Sequence, residues 1–324
     1  MMKFLVTGSA GFIASKIAEK LLTEGHQVIG IDDLNDYYDT RLKEWRLSQL
    51  KSFGRFEFLH QDISNYEKIH KIFKENEFEA VFNLAARAGV RASVEDPWRY
   101  YDTNVKGTLN LLECCKNYNI KKFVLASTSS IYGNTETPFN TENKTDNPLS
   151  PYAASKKGAE ALCYSYHYLY KINVSIPRYF TVYGPAGRPD MSYFKFMLKI
   201  DRNEAIDVYG DGSQSRDFTY VGDVAKATIK CLKLEGYNVL NIGNDRPVVL
   251  MDMIKIVEKL MGKKARINYL SRHPADNLIT WADLTKTQEL LKWRPQVKLE
   301  DGLEKVVAWY SENRDWAKNI KIKD

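Results

Sequence analysis

Tyr152 and Lys156 stand one helical turn apart in Pro151-Tyr152-Ala153-Ala154-Ser155-Lys156, just ahead of a long helix-forming run. Residues four apart share a helix face. A phenol titrates near ~10, and an ammonium beside it favours the phenolate. Such a pair can take a proton from a hydroxyl near neutral pH. The bare spacing is equally at home on a solvated surface helix, so its weight comes from the residues before it. Lys122-Phe123-Val124-Leu125-Ala126 reads as a strand that runs into four hydroxyls, Ser127-Thr128-Ser129-Ser130. The C-terminal end of such a strand is where open parallel sheets bind ligands.

The elements that must position these groups begin at the N-terminus. Phe4-Leu5-Val6 is a short buried strand, followed by Thr7-Gly8-Ser9-Ala10-Gly11-Phe12-Ile13-Ala14 and an amphipathic run from Ser15 to Glu24. Gly8 permits a tight turn, and Gly11 lets the backbone approach a pyrophosphate resting on a helix N-terminus. Ala14 replaces an expected third glycine and is still small enough for close helix–strand packing. A second strand, Gln27 to Ile31, ends in Asp32, placed to meet a ribose 2′-hydroxyl and, with Asp33, to repel a 2′-phosphate. NAD is therefore expected over NADP. Asp62, after the strand Phe56 to Leu59, is placed to meet an adenine. Ala85-Ala86, after the strand Ala80 to Leu84, lets backbone lie flat on a cofactor. Helices are expected over 65–75, 103–116 (with Asn104 near its start) and 152–170, and a strand over 173–176. This alternation predicts a doubly wound parallel α/β sheet.

After Ile176 the pattern loosens into Gly-, Pro- and Asp-rich loops with short helices at 193–199 and 251–259. The expected division is a dinucleotide-binding domain over 1–177, with returns from about 217–243, and a smaller substrate lobe over 178–324. The length suits one large domain or two smaller ones. The net charge of +6 is dispersed, without a basic block or nucleic-acid-reading motif. It suits an anionic small ligand. Cys114, Cys115, Cys163 and Cys231 lack any framework or CxxC spacing and read as buried thiols in a reducing compartment. The scattered histidines give no reason to expect a metal, and no apolar run reaches the roughly 18 residues of a membrane span. A cytoplasmic protein is expected. Tyr164, Tyr166, Tyr168 and Tyr170 go nearly all round the 152–170 helix. That excess of aromatic surface suggests a symmetric homodimer formed through the 103–116 and 152–170 helices.

The glycine loop, Asp32, the hydroxyl cluster before Ile131-Tyr132-Gly133, Tyr152-x-x-x-Lys156 and Arg216-Asp217-Phe218-Thr219-Tyr220-Val221 occur in one order. Together they resemble the extended short-chain dehydrogenase/reductase family of nucleotide-sugar enzymes, over nearly the whole chain. Asn35-Asp36-Tyr37-Tyr38-Asp39, Ala88-Gly89-Val90-Arg91 and the run from Thr181 through Gly187-Arg188-Pro189-Asp190-Met191 most resemble the branch that epimerises UDP-glucuronate at C4. The resemblance implies bound NAD, a UDP-sugar substrate and a transient 4-keto sugar. Tyr152, Lys156 and Thr128 are then the catalytic groups. Implied cofactor contacts are Gly8, Ala10, Gly11, Phe12, Ile13, Asp32, Asn35, Asp62, Ile63, Leu84, Ala85, Ala86, Arg87, Asn104, Tyr152, Lys156, Tyr179 and Val182. Implied substrate contacts are Ser129, Ser130, Thr181 and Arg188 at a sugar carboxylate, and Arg216, Arg272 and Asp276 toward the UDP. Arg87, His273 and Ala275 depart from the residues usual in the family. Ser129 and Ser130 stand where the related 4,6-dehydratases carry an Asp-Glu pair and the decarboxylases a Glu, which disfavours both activities. A 4-epimerase for neutral UDP-hexoses and a non-catalytic NAD-binding regulator remain the alternatives.

Overall fold

The structure, a computed structural model, describes residues 1–271 and 278–322. Its first half alternates strands and helices: β1 (Lys3–Thr7), α1 (Phe12–Thr23), β2 (Gln27–Asp32), α2 (Thr40–Lys51), β3 (Phe56–His60), α3 (Tyr66–Glu75), β4 (Ala80–Asn83), the short α4 (Val90–Glu95) and α5 (Pro97–Tyr100), α6 (Gly107–Asn117), β5 (Lys122–Leu125), β6 (Ser127–Thr128), α7 (Pro151–Tyr170) and β7 (Asn173–Tyr179). There follow β8 (Thr181–Tyr183), α8 (Ser192–Asp201), β9 (Ala205–Tyr209), β10 (Ser215–Tyr220), α9 (Val221–Lys230), β11 (Tyr237–Ile242), β12 (Pro247–Val249), α10 (Leu250–Met261), β13 (Arg266–Leu270), α11 (Thr285–Leu291), α12 (Leu299–Glu312) and α13 (Arg314–Ala317).

The large sheet is parallel throughout, in the order β11-β7-β5-β4-β1-β2-β3, with β6 paired to β7. Phe4, Leu5, Val6, Val81, Phe82, Phe123 and Val124 are almost fully buried because helices cover both faces. Strand order reverses between β1 and β4, and the crevice at that switch point is where a doubly wound sheet takes its ligand. Thr7 seals the joint: its hydroxyl donates to Asn83 Oδ1 at 2.7 Å and accepts from the N–H groups of Leu84 and Ala85. α9 lies on α1, and β11 extends the large sheet at β7.

Two smaller sheets, β12-β10-β8 and β13-β9, belong to a second apolar cluster built around Tyr183, Phe194, Met197, Met253 and Trp309. The loop-rich reading of this part missed most of its strands, which mix charged and polar residues with apolar ones and lack the continuous apolar runs of the large sheet. It also missed α2. Leu42, Leu47 and Leu50 of that helix are buried, but so are Lys43 and Arg46, which break the apolar stripe that would have announced it. The expected helix over 103–116 begins instead as a π-turn, Tyr101–Lys106, that leads into α6. Single π-turns of this kind concentrate at functional sites. Here the π-turn carries Asn104.

Candidate active site

α7 starts where Ser150 accepts a hydrogen bond from the Ala153 N–H at 3.1 Å, with Pro151 at the first helical position. That cap fixes Tyr152 in the first turn and Lys156 one turn further on. Both line a cavity of about 420 Å³ at the switch point, within the range of small-molecule sites. Thr128 reaches it from β6. Its hydroxyl accepts from the Ser130 N–H at 3.1 Å, donates to the Ser130 hydroxyl at 3.2 Å and lies beside the Tyr152 phenol. Ser129, Ser130, Thr181 and Arg188 complete this end of the cavity.

The phenol is not tuned as the sequence suggested. Burial raises it above its ordinary value, and the Thr128 hydroxyl and the Arg188 charge offset this only in part. Burial also pulls the Lys156 ammonium down to about 8, against the opposing charge of Glu160. For both groups desolvation is the largest influence on the proton.

The opposite end fits a dinucleotide. Gly8 has φ +68°, and a Cβ there would stand 2.8 Å from the Ala85 nitrogen. A Cβ on Gly11 would stand 2.8 Å from the Gly8 carbonyl oxygen. The first turn of α1, entered through Gly11, Phe12 and Ile13, has no side-chain cap and opens onto the cavity, a ready anion site. Asp32 lies at the end of β2 with its carboxylate accepting from the Ala10 and Leu34 N–H groups. Asn35, Asp62, Ile63, Leu84, Ala85, Ala86 and Arg87 follow along the wall, and Tyr179 and Val182 close it from β7 and β8.

Three expected contacts lie elsewhere. Ala10 is fully buried and spends its N–H on Asp32, so it shapes the loop without reaching the cavity. Asn104 is also behind the wall: its side chain holds the Arg87 N–H and carbonyl and the Ser155 hydroxyl. Arg216 donates to the carbonyls of Ser215 and Leu278 and does not line the cavity. Arg272, His273, Ala275 and Asp276 lie outside the described residues. The expected repulsion of a 2′-phosphate is also weaker than two bare carboxylates would give. Asp33 pairs with Arg87 at 3.0 Å, and Lys43 stands 3.3 Å from Asp32 and 3.9 Å from Asp33.

Other residues of the site carried no readable local signal. Lys43 lines the ribose end from α2. Arg46, almost fully buried, donates five hydrogen bonds, to Tyr38 and to the carbonyls of Ala10, Ala186 and Gly187. It thereby ties the glycine loop to the segment that presents Arg188. Beneath the hydroxyl cluster, Glu160 accepts from Ser127 at 2.6 Å and is gripped by both edge nitrogens of Arg178, which also donates to Tyr132. These are long-range partners, invisible to spacing along the chain.

A family model described as GDP-mannose 4,6 dehydratase matches residues 5–306. The chain belongs to this family. The resemblance to nucleotide-sugar enzymes of the extended short-chain dehydrogenase/reductase type therefore stands. The chain is 52% identical to a UDP-glucuronate 4-epimerase of Thermodesulfobacterium geofontis over 98% of this chain and 99% of the relative. A crystal structure of UDP-glucuronic acid 4-epimerase from Bacillus cereus, in complex with UDP-glucuronic acid and NAD, superposes with a TM-score of 0.91. It is 37% identical and covers 96% of this chain and 100% of that one. A UDP-glucose 4-epimerase from Thermotoga maritima, solved with UDP-glucose, gives a TM-score of 0.89 at 33% identity, covering 97% and 100%.

Proposed function

We propose that this protein is an NAD-dependent 4-epimerase that interconverts UDP-glucuronate and UDP-galacturonate through a transient 4-keto sugar. The observation that carries the reading is the meeting, in one cavity, of Tyr152 and Thr128 with Arg188 at one end and the glycine-loop cradle at the other. The similar epimerases support the choice of sugar and cofactor.

NAD, held along α1, Asp32 and Ala85-Ala86, supplies the acceptor for the C4 hydride and its return to the other face. Tyr152 takes the O4 proton and later restores it. Thr128 holds O4 in line with that phenol. Lys156 keeps a positive charge near the site at neutral pH. The 4-keto uronate is a β-keto acid that can lose carbon dioxide, which would disperse the carboxylate charge into the ring. Fixed donors resist that dispersal. Arg188, with Ser129, Ser130 and Thr181, is the proposed carboxylate clamp. Arg216, with Arg272 and Asp276, is assigned to the UDP. The lobe over 178–324, apart from the stretch of about 217–243 that returns to the dinucleotide-binding domain, is the substrate-binding part.

A second reading, epimerisation of neutral UDP-hexoses, is favoured by one observation: Arg188 is already paired with Asp190. Purified protein incubated with UDP-glucuronate, UDP-glucose and UDP-N-acetylglucosamine, with products resolved by NMR, separates the two. Conversion of UDP-glucuronate alone supports the first reading, and conversion of the neutral sugars alone supports the second.

A cytoplasmic homodimer completes the proposal. No described helix is long and apolar enough to cross a membrane. Tyr164, Tyr168 and Leu169 on α7, with Tyr101 before α6, are exposed aromatic and aliphatic surface. Light scattering at micromolar concentration should give twice the chain mass, and a monomer would refute the dimer.

A further inference from the structure

Arg188 is paired with a neighbouring carboxylate. Its Nε donates to Asp190 Oδ1 at 3.0 Å and its Nη2 to Asp190 Oδ2, and it makes no other hydrogen bond among the described residues. Tyr37 lies against the guanidinium face, with the Cζ 5.8 Å from the ring centroid. The Tyr37 hydroxyl lies near that of Tyr100, which donates to the Ala88 carbonyl at 3.2 Å and whose ring meets Tyr152 edge-on at 6.1 Å. Arg188, Asp190 and Tyr37 all line the cavity. The arginine is thus held along one edge by a carboxylate and across one face by an aromatic ring.

A guanidinium has five N–H groups arranged as two forks that can each grip a carboxylate. Asp190 occupies the Nε–Nη2 fork. Of the three protons left, one on Nη1 and the outer one on Nη2 are parallel and form the second fork. We propose that Asp190 is a positioning residue: it reserves the Nη1–Nη2 edge of Arg188 for the sugar carboxylate. It also offsets the arginine's charge, so that the uronate is held by fork geometry more than by net attraction. This rests on the UDP-glucuronate reading of the site. The arrangement suits an enzyme that must restrain a carboxylate without holding its product too tightly. Two loose partners on one arginine would let the carboxyl group rotate, and rotation is what opens the route to carbon dioxide loss.

Charge and aim are separable by substitution. Asp190→Asn keeps an acceptor for the arginine edge but removes the negative charge that repels the uronate. Asp190→Ala removes both. Losing the aim of one side chain costs affinity, but removing a like charge a few ångströms from a partly dehydrated carboxylate gains more.

The experiment uses NAD-loaded protein. In a Tyr152→Phe background, calorimetric titration of the added Asp190→Asn change should show UDP-glucuronate binding about tenfold tighter, with UDP-glucose within about twofold. In active enzyme, Asp190→Asn should lower KM for UDP-glucuronate without raising kcat. Asp190→Ala should release severalfold more carbon dioxide per epimerised sugar than Asp190→Asn. Equal shifts for the two nucleotide sugars, weaker UDP-glucuronate binding in Asp190→Asn, or unchanged carbon dioxide release in Asp190→Ala would overturn the assignment. Wild-type enzyme that binds UDP-glucuronate but leaves it unconverted overturns the proposed function alone, because the binding comparison still reads Asp190.

Discussion

The two ends of the cavity are made of different material. The dinucleotide end is built of backbone: a left-handed glycine, the open first turn of α1 and the flat exit at Ala85-Ala86. The sugar end is built of side chains that hold one another, with Thr128 beside Tyr152, Asp190 on Arg188 and Tyr37 against the guanidinium. A backbone surface tolerates changes of side-chain identity but not an added Cβ. A side-chain surface can be re-tuned residue by residue. One end can thus stay constant while the other selects among sugars, and the seam between them is the Tyr152–Thr128–Lys156 group.

Substitutions at each end test that division, and the largest effect belongs to the seam. Tyr152→Phe should lower kcat by about 10³-fold while nucleotide still co-purifies; near-full turnover would remove the phenol from the chemistry. Gly8→Ala forces a Cβ against Ala85 in a left-handed conformation. It should strip the cofactor and reduce turnover of every sugar by about 10²-fold, read by nucleotide release and assay with added NAD. Arg188→Ala should cost about 10²-fold in kcat/KM for UDP-glucuronate and little for UDP-glucose, since only the uronate loses a charged hydrogen-bond partner. Equal losses for both sugars would dissolve the contrast between the ends.

The smallest effect is one of stability and pH. Burial holds Lys156 at about 8, below its unfolded value. The ligand-free protein therefore binds fewer protons than the unfolded chain between pH 8 and about 10.5. This group's contribution to stability is fully present above that window and is lost as pH falls through 8. Lys156→Met should stabilise the ligand-free fold by about 2 kcal/mol at pH 7, and the gain should shrink toward pH 10 in urea titrations.

The same contrast explains what could be read along the chain. The cradle was legible because its parts are local: Gly8 and Gly11 set a turn, Asp32 ends the next strand, and Ala85-Ala86 follows a third. Tyr152 and Lys156 were legible because a helix converts spacing into a shared face. Their electrostatics were not, because desolvation depends on what packs over them. Arg188 was reached through resemblance, whereas Asp190 and Tyr37 lie in the segments that carry that resemblance and gave no sign of a role. Lys43 and Arg46 were hidden by occupying buried positions where helix patterning expects apolar residues. The Glu160–Arg178 pair joins residues on α7 and β7 whose partnership only the folded sheet creates.

The central claim is that one hydride leaves C4 and returns to the same carbon from the other face. UDP-glucuronate carrying deuterium at C4, converted by the purified protein and followed by NMR, tests it directly. Deuterium retained at C4 of UDP-galacturonate is the predicted result. Product that has exchanged its C4 deuterium for solvent hydrogen, or the absence of UDP-galacturonate, would contradict it.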